Sequence, residues 1–105
     1  MNSDLVLRGR IYAVRAHGQE RYCLVISNNQ RNQRFPDVLA VWLTAVDGPV
    51  TASAVALPPG EPLVGRALCD AIEAVVTKRI ARDLGAVSPR TMRRVGDGLR
   101  AALGL

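Results

Sequence analysis

The sequence is poor in the residue types on which several classes of protein depend. Its two cysteines, Cys23 and Cys69, each lie inside an apolar run, which predicts buried free thiols rather than a disulfide framework or a zinc site. With one tryptophan, one phenylalanine and two tyrosines, the core must be mainly aliphatic. No apolar run approaches the about 20 residues of a membrane span, so the sequence predicts no helix that crosses a membrane.

The N-terminal stretch MNSDLVLRG lacks the basic head and long apolar segment of a secretion signal. We therefore expect a cytoplasmic protein. The length of 105 residues predicts one domain, residues 1–105, because a chain of this size buries enough surface for one modest core without cross-links.

Positive charge is what the chain has in excess. The net charge is +5, and thirteen of the fourteen basic residues are arginine. A small, basic, arginine-rich domain favours a polyanionic partner. Ordinary solvated arginines would explain the same composition, so composition alone leaves both interpretations open.

Apolar runs predict β-strands along most of the chain. We expect strands over 6–14, 22–27, 38–46, 50–57 and 63–70, and two more within 71–87 on either side of a turn at Thr77–Arg79. Polar segments or segments with proline and glycine, at 15–20, 28–37, 47–49 and 58–62, are expected to connect them.

The C-terminal segment has the pattern of an amphipathic helix. Ser88 is placed as an N-cap and Pro89 as the first helical residue. After them, apolar residues recur at helical spacing at Met92, Val95, Leu99 and Ala102/Leu103. Many short strands followed by one helix predict an α+β, mainly β fold, a small barrel with a C-terminal helix packed on it.

Strand alternation sorts the residues of segment 38–46 into two faces. Leu39, Val41 and Leu43 form an aliphatic row, predicted to face the core, which puts Trp42 and Thr44 on the opposite face. An indole there would offer nucleic-acid bases a stacking platform; the alternative is that it covers a second small cluster or a subunit interface. If segment 22–27 pairs with this strand so that Arg21 comes near Thr44, a cation and a hydroxyl converge.

The segment that follows the second strand carries more amides than a turn requires. Ser27, Asn28, Asn29 and Arg31 can hydrogen-bond the edges of unstacked bases and a nucleic-acid backbone. They are therefore candidates for substrate selection. The alternative for the asparagines is that they tolerate left-handed turn geometry.

Five motifs occur in a familiar order: RGRIY, RYCLVISNN, VLAVWLT, ALCDAIEAV and LGAVSPRTMRRVGDGLRAALGL. Together they resemble the MazF/PemK/Kid family of toxins from bacterial toxin–antitoxin pairs. The resemblance implies an SH3-like or CcdB-like barrel, a homodimer, and sequence-selective cleavage of single-stranded RNA without a metal or other cofactor. It also implies a cognate MazE-like antitoxin with an acidic tail.

Two residues match the family's reactive pair. Arg21 stands at the start of the second strand and Thr44 at the end of the third. RNA carries its own nucleophile, the 2′-hydroxyl, so the reaction needs proton transfer and stabilisation of charge on the phosphate oxygens, to which a guanidinium fork is suited. The products implied are a 2′,3′-cyclic phosphate and a 5′-hydroxyl.

Two titratable residues are weaker candidates for the same site. Asp70 lies in the motif that resembles the family's Asp-containing strand. It is a candidate general base, and the alternative is a structural carboxylate. His17 lies in the loop that often borders the RNA groove in this family. It is a candidate substrate contact, and the alternative is a solvated side chain. It is the only histidine, which excludes a mechanism based on two histidines.

Two other functions compete with RNA cleavage. A member of the same fold could poison DNA gyrase as CcdB does, but the tryptophan expected near the C-terminus is absent, since the chain ends AALGL. A plain SH3-like protein-binding barrel is the other alternative, and four aromatic residues are few for a groove that binds proline-rich peptides.

Overall fold

The computed structural model describes residues 5–45 and 51–105 of the chain. These residues contain six β-strands and two α-helices. They follow in the order β1 (Arg10–Ala16), β2 (Gln19–Val25), α1 (Asn29–Arg34), β3 (Asp37–Thr44), β4 (Ala54–Leu57), β5 (Gly65–Val76), β6 (Ile80–Ala86) and α2 (Pro89–Leu103). A 3₁₀ turn at Thr77–Arg79 joins β5 to β6, as predicted.

The strands form one antiparallel sheet in the order β4-β5-β3-β2-β1-β6. The predicted α+β, mainly β fold with a C-terminal helix is confirmed. Within the described residues the sheet is open, because its outer strands β4 and β6 each pair on one side only.

The boundaries differ from the predictions chiefly in β5. The strand predicted at 63–70 and the one expected to start at 71 are a single long strand. Its register against β3 shifts between the pairs Val41↔Ile72 and Trp42↔Leu68, so a bulge interrupts the pairing without ending the strand. The strand predicted over 50–57 is seen from Ala54, and the turn predicted at 47–49 lies outside the described residues.

The polar segment 28–37, predicted as an irregular connection, contains helix α1. Asn28 caps this helix, because its side-chain oxygen accepts a hydrogen bond from the Arg31 N–H at 2.8 Å. An asparagine at this position is a helix-start signal. The helix has only six residues and no apolar stripe, which explains why periodicity missed it.

Two hydrophobic clusters lie on opposite faces of the sheet. The helix-side cluster, against α2, contains Ile11, Leu24, Val41, Leu57, Ala67, Cys69, Val87 and Val95. The far-side cluster contains Val6, Tyr12, Val14, Cys23, Val25, Val38, Ala40, Trp42 and Val75. The prediction that the row with Val41 and Leu43 faces a core is confirmed for these two residues. The face of Trp42 is buried as well, so the alternative of a second cluster under Trp42 is also confirmed.

Helix α2 begins as predicted, with the Ser88 Oγ accepting from the Thr91 N–H at 3.1 Å and Pro89 at the first helical position. The side of α2 that faces the sheet buries Thr91, Val95 and Gly98. Gly98 lies so close to β5 and β4 that an added Cβ would stand 2.8 Å from the Cys69 Sγ. The apolar pattern missed the contribution of Thr91, because threonine is not strongly apolar, whereas a close approach at Gly98 is what a residue without a side chain allows.

Candidate active site

Arg21 and Trp42 form a stacked pair on the far side of the sheet. The guanidinium carbon of Arg21 lies 4.0 Å from the centroid of the indole ring, a cation–π geometry that orients the planar guanidinium. Trp42 is 7% exposed, whereas Arg21 is exposed. The predicted open stacking platform is thus not what Trp42 provides, because the ring is buried and Arg21 covers it.

Thr44 lies in the same row of the sheet as Arg21. Strands β2 and β3 pair with Cys23 opposite Trp42, and continuing that register by two residues puts Arg21 opposite Thr44. Side chains directly opposite in an antiparallel pair have Cβ atoms about 4.5–5.5 Å apart. This extended register supports the predicted convergence of the cation and the hydroxyl.

A second arginine extends this row on the other side of β3. Arg66 of β5 is the register partner of Thr44 and is half-buried. The row across β2, β3 and β5 therefore carries the guanidinium of Arg21, the hydroxyl of Thr44 and the guanidinium of Arg66. Sequence reasoning missed Arg66, because only the pairing of β3 with β5 places it beside Thr44.

The backbone next to Thr44 is tightly packed. Gly65 has φ 151°, and a Cβ at that position would stand 2.4 Å from the Thr44 carbonyl oxygen. A side chain does not fit there, so glycine is required for β5 to approach the end of β3. This contact holds the position of the Thr44 backbone.

Glu73 fixes the indole from the neighbouring strand. The Trp42 Nε1–H donates to the Glu73 Oε1 at 3.2 Å, and Glu73 is the register partner of Ala40. A buried indole N–H needs an acceptor, so this bond sets the orientation of the ring on which Arg21 rests. Sequence reasoning missed Glu73 as well, since 31 residues separate the two partners.

Ser27 has a structural role in the loop between β2 and α1. It is 7% exposed, its Oγ accepts from the Leu39 N–H at 2.9 Å, and it donates to the Asn32 Oδ1. The Asn32 amide in turn donates to the Ser27 carbonyl at 3.0 Å. These bonds account for Ser27 without a ligand and leave it buried, so RNA contact through this residue stays a prediction that the burial does not favour.

The other polar residues of this segment also have partners within the chain. Besides the cap made by Asn28, the Asn29 Oδ1 accepts from the Arg8 N–H at 2.7 Å. The Arg31 guanidinium donates to the Asp37 carboxylate at 2.8 Å and lies over the Phe35 ring at 4.9 Å. Asn28 and Asn29 are nevertheless exposed, and their role in substrate selection stays a prediction.

His17 occupies the tip of the β1–β2 hairpin. Ala16 pairs with Gln19, so the turn consists of His17 and Gly18, with φ values of 52° and 75°. Positive φ at both central residues is the type I′ hairpin turn, and histidine is among the residues that tolerate this region. The side chain is exposed; substrate contact stays a prediction.

Asp70 lies within the bulge of β5. It is exposed, and it alternates with Ala67 and Cys69 of the helix-side cluster, so it points away from that cluster. Within the described residues it makes no hydrogen bond or ion pair. The structure thus gives no support for a structural carboxylate, and the role of a general base stays a prediction.

The two thiols belong to the core. Both cysteines are free and buried, as predicted. Burial raises the pKa of Cys23 to about 12 and that of Cys69 to about 11. Neither thiol is a nucleophile near neutral pH, since the thiolate is the reactive form.

Among the described residues, no group of three or more His, Cys, Asp or Glu side chains is arranged to hold a metal ion. Neither helix in residues 5–45 and 51–105 is long and apolar enough to cross a membrane. The predicted independence of metal and other cofactors stays a prediction.

Comparison with known proteins identifies the family. The family model described as PemK-like, MazF-like toxin of type II toxin–antitoxin system matches residues 7–103. The chain belongs to the PemK/MazF family of toxins. Its similarity to Endoribonuclease MazF4 of Mycobacterium tuberculosis is 36% identity over 99 residues, which cover 94% of this chain and 93% of the relative. The predicted family and the predicted class of enzyme, an endoribonuclease, are confirmed.

Solved structures of similar proteins show the same architecture. A mycobacterial endoribonuclease in complex with its cognate antitoxin superposes with a TM-score of 0.90 at 36% identity, over 95% of this chain and 96% of that one. A MazE–MazF complex from Deinococcus radiodurans gives a TM-score of 0.84 at 20% identity, over 96% of this chain and 97% of that one. The second similarity supports the fold alone.

Proposed function

We propose that this PemK/MazF-family endoribonuclease cleaves single-stranded RNA at Arg21 and Thr44, without a metal ion and with the 2′-hydroxyl of the substrate as nucleophile. The observation that carries the proposal is the Arg21 guanidinium held 4.0 Å from the indole centroid. The indole ring orients the exposed Arg21 guanidinium near Thr44, the last residue of β3. A preorganised guanidinium is suited to a phosphate that gains charge during the reaction.

The proposed reaction takes place within the RNA substrate. The 2′-oxygen attacks the adjacent phosphorus and loses its proton, the bond from phosphorus to the 5′-oxygen breaks, and that oxygen takes up a proton. The products are a 2′,3′-cyclic phosphate and a 5′-hydroxyl. Arg21 stabilises the non-bridging oxygens, and Thr44 hydrogen-bonds the same phosphate or orients the 2′-hydroxyl.

The remaining candidates take supporting roles in the proposal. Arg66, opposite Thr44, supplies a second cation for the phosphate. Asp70 is the candidate acceptor of the 2′-hydroxyl proton, and His17 a candidate contact to the substrate. Arginine itself is a poor proton donor because its pKa exceeds about 12, so stabilisation of charge is its main role.

We infer a homodimer in the cytoplasm, inhibited by a cognate MazE-like antitoxin. The support is the likeness to a mycobacterial endoribonuclease whose structure contains its cognate antitoxin. The net charge of +5 favours both RNA and an acidic antitoxin segment as partners.

One experiment tests the proposal. Purified protein is incubated with a mixed RNA pool in EDTA, and the 5′-hydroxyl ends are sequenced. We expect cleavage by the wild type, retention of cleavage by Arg79→Ala, which changes an exposed arginine of the 3₁₀ turn, and its loss in Arg21→Ala and Thr44→Val. Absence of cleavage by the wild type in EDTA, or unchanged cleavage by Arg21→Ala, would contradict it.

A further inference from the structure

A second basic surface lies on the other side of the molecule from Arg21. A groove of about 620 Å³ runs along α2 beside the segment that precedes β1. We call it the α2 groove, and its charged lining consists of Arg8, Arg90, Arg93, Arg94, Asp97 and Arg100. None of these residues belongs to the row of Arg21, Thr44 and Arg66.

The α2 groove carries uncompensated positive charge. Among the described residues its one carboxylate, on Asp97, pairs with Arg100 at 3.1 Å. Arg90, Arg93 and Arg94 are exposed and, within the described residues, form no hydrogen bond or ion pair. Like charges gathered without counter-charges raise the local positive potential and attract anions.

The position of one wall of the groove is fixed by the amide-rich segment. The Arg8 N–H donates to the Asn29 Oδ1 at 2.7 Å, and its guanidinium donates to the carbonyl oxygen of Ile26. Arg8 is thus held against the loop that leads into α1. These contacts give the exposed Asn29 a role that its sequence position did not reveal.

Gly96, among the residues that line the groove, leaves open space where a side chain would stand. A Cβ added at Gly96 would meet nothing nearer than the Arg100 Nη1 at 3.8 Å. Gly98, two residues on, is packed against Cys69 and Val55 on the opposite side of the helix. The helix is therefore anchored to the sheet on one side and presents its arginines on the other.

We propose that the α2 groove binds the phosphate backbone of the RNA substrate at a distance from the cleaved bond. The inference rests on the proposed function, since it takes RNA as the substrate. Guanidinium forks match phosphate oxygens, and the described lining of the groove includes no aromatic residue on which a base could stack. Backbone contact without base recognition is what such a lining supports.

An acidic peptide fits the groove less well than RNA does. Peptide segments that bind folded domains use apolar anchors in buried pockets as their main source of affinity. Among the described residues of the lining, Met92 is the only large apolar side chain, and the others are charged or glycine. A phosphodiester chain needs no such anchor, because its affinity comes mainly from neutralised charge and released counterions.

The position of the groove makes it specific for long substrates. Helix α2 covers the helix-side cluster, whereas Arg21 lies on Trp42 in the far-side cluster. The sheet therefore separates the two sites, and only RNA that passes around the domain can occupy both. A short oligonucleotide bound at Arg21 would not reach α2.

The test compares two variants of equal charge. The groove variant carries R90Q, R93Q and R94Q; the control carries R34Q, K78Q and R79Q, which are exposed residues outside the groove. Binding is measured against salt concentration with a long 2′-O-methyl RNA, which has no nucleophile and stays intact whatever the role of Arg21. Cleavage is measured with the same sequence as natural RNA and with a fragment of about six nucleotides.

We expect the groove variant to bind the long RNA about tenfold more weakly than the control, with a salt dependence shallower by about 2 in log–log slope, because each phosphate contact to a single strand contributes about 0.7. Its KM for the long substrate should rise with kcat unchanged, and cleavage of the fragment should stay as in the control. Circular dichroism and unfolding curves that match the control would exclude a loss of fold.

Three results would overturn the inference. Equal salt slopes for the two variants would show that the groove does not contact phosphates. An equal loss on the short fragment would show an effect on the active site rather than on a distant contact. Unchanged RNA binding with weakened binding of polyglutamate would assign the groove to an acidic peptide. If the wild type bound no RNA at all, that result would contradict the proposed function itself, and not only the role of the groove.

Discussion

The two faces of the sheet differ in what covers them. The helix-side face is closed by α2, packed so tightly that Gly98 leaves no room for a Cβ. On the far-side face, the guanidinium of Arg21 covers the indole of Trp42 from the solvent side. The helix-side face of the sheet is covered by the chain's own helix, whereas the far-side face presents an oriented cation to the solvent.

Their polar groups are satisfied in different ways. On the helix side, the Glu61 carboxylate accepts from the Ser88 N–H at 3.0 Å and from the hydroxyls of Ser88 and Thr91. On the far side, Glu73 holds the indole N–H, while the exposed Arg21 guanidinium makes no hydrogen bond or ion pair within the described residues. The donors of Arg21 therefore stay available for a phosphate.

The largest effect is expected at Arg21. Arg21→Lys keeps the charge but loses the planar fork and its stacking on the indole, so we expect cleavage to slow by about 100-fold, as for loss of one preorganised oxyanion donor. Single-turnover rates on RNA measure this. Arg79→Lys, at an exposed arginine of the 3₁₀ turn, should cleave like the wild type. A lysine variant as fast as the wild type would show that charge alone is enough on the far side.

The packing of the helix side can be tested with two glycines of one helix. Gly98→Ala would place a Cβ 2.8 Å from the Cys69 Sγ and 2.9 Å from the Val55 Cγ2, so we expect a loss of about 2 kcal/mol in the free energy of unfolding. Gly96→Ala meets open space and should stabilise the helix by about 1 kcal/mol. Denaturant unfolding measures both, and a gain in stability for Gly98→Ala would contradict the close packing.

A smaller effect is expected from the support beneath Arg21. Glu73→Leu leaves the Trp42 N–H without its acceptor, and a hydrogen bond of about 1 kcal/mol corresponds to about a fivefold lower kcat with KM little changed. Glu73→Gln keeps an acceptor oxygen and should restore the rate. Trp42 is the only tryptophan, so its fluorescence reports the ring's surroundings directly and should shift in the leucine variant only. Equal rates and equal fluorescence for the two variants would contradict a positioning role of Glu73.

The smallest effect is a pH dependence on the helix side. Burial disfavours ionisation of Glu61, but hydrogen bonds from Thr91 and Ser88 outweigh it and lower the pKa below its ordinary value of 4.5. A lowered pKa in the folded state means that the contribution to stability is present above pH 4.5 and is lost as the pH falls through the folded-state pKa.

Glu61→Gln measures that contribution. We expect the variant to be less stable than the wild type by about 1 kcal/mol or less at neutral pH, the scale of a helix-cap interaction. The difference should shrink in acid, as followed by unfolding at pH 7 and at low pH. A difference that grows as the pH falls would have the wrong sign for this network.

Local patterns predicted most of the elements. The start of α2 follows from Ser88 and Pro89, whose effects on a helix end are local, and the turn at Thr77–Arg79 separates two apolar runs. Helix α1 was missed because a helix of six polar residues has no apolar period. The long strand β5 was divided in two because a bulge depends on the register of its neighbour, which one strand alone does not reveal.

The candidate site was predicted in part. Arg21 and Thr44 were nominated from the family resemblance, and their convergence was a hypothesis about strand pairing. The β2–β3 register supports it. Arg66 and Glu73 were missed, since each joins the site only through the pairing of β5 with β3.

The amino-acid sequence by itself determined the family, the mainly β character and the C-terminal helix, because motif order, strand alternation and helix caps are properties of neighbouring residues. Only the tertiary structure decided that both faces of β3 are buried, what lies over the indole and how the arginines are divided between two surfaces. Those outcomes depend on strand order and register, which bring together residues far apart in the chain. The physical reason is that burial and electrostatic potential belong to the assembled sheet and helix, not to any single segment.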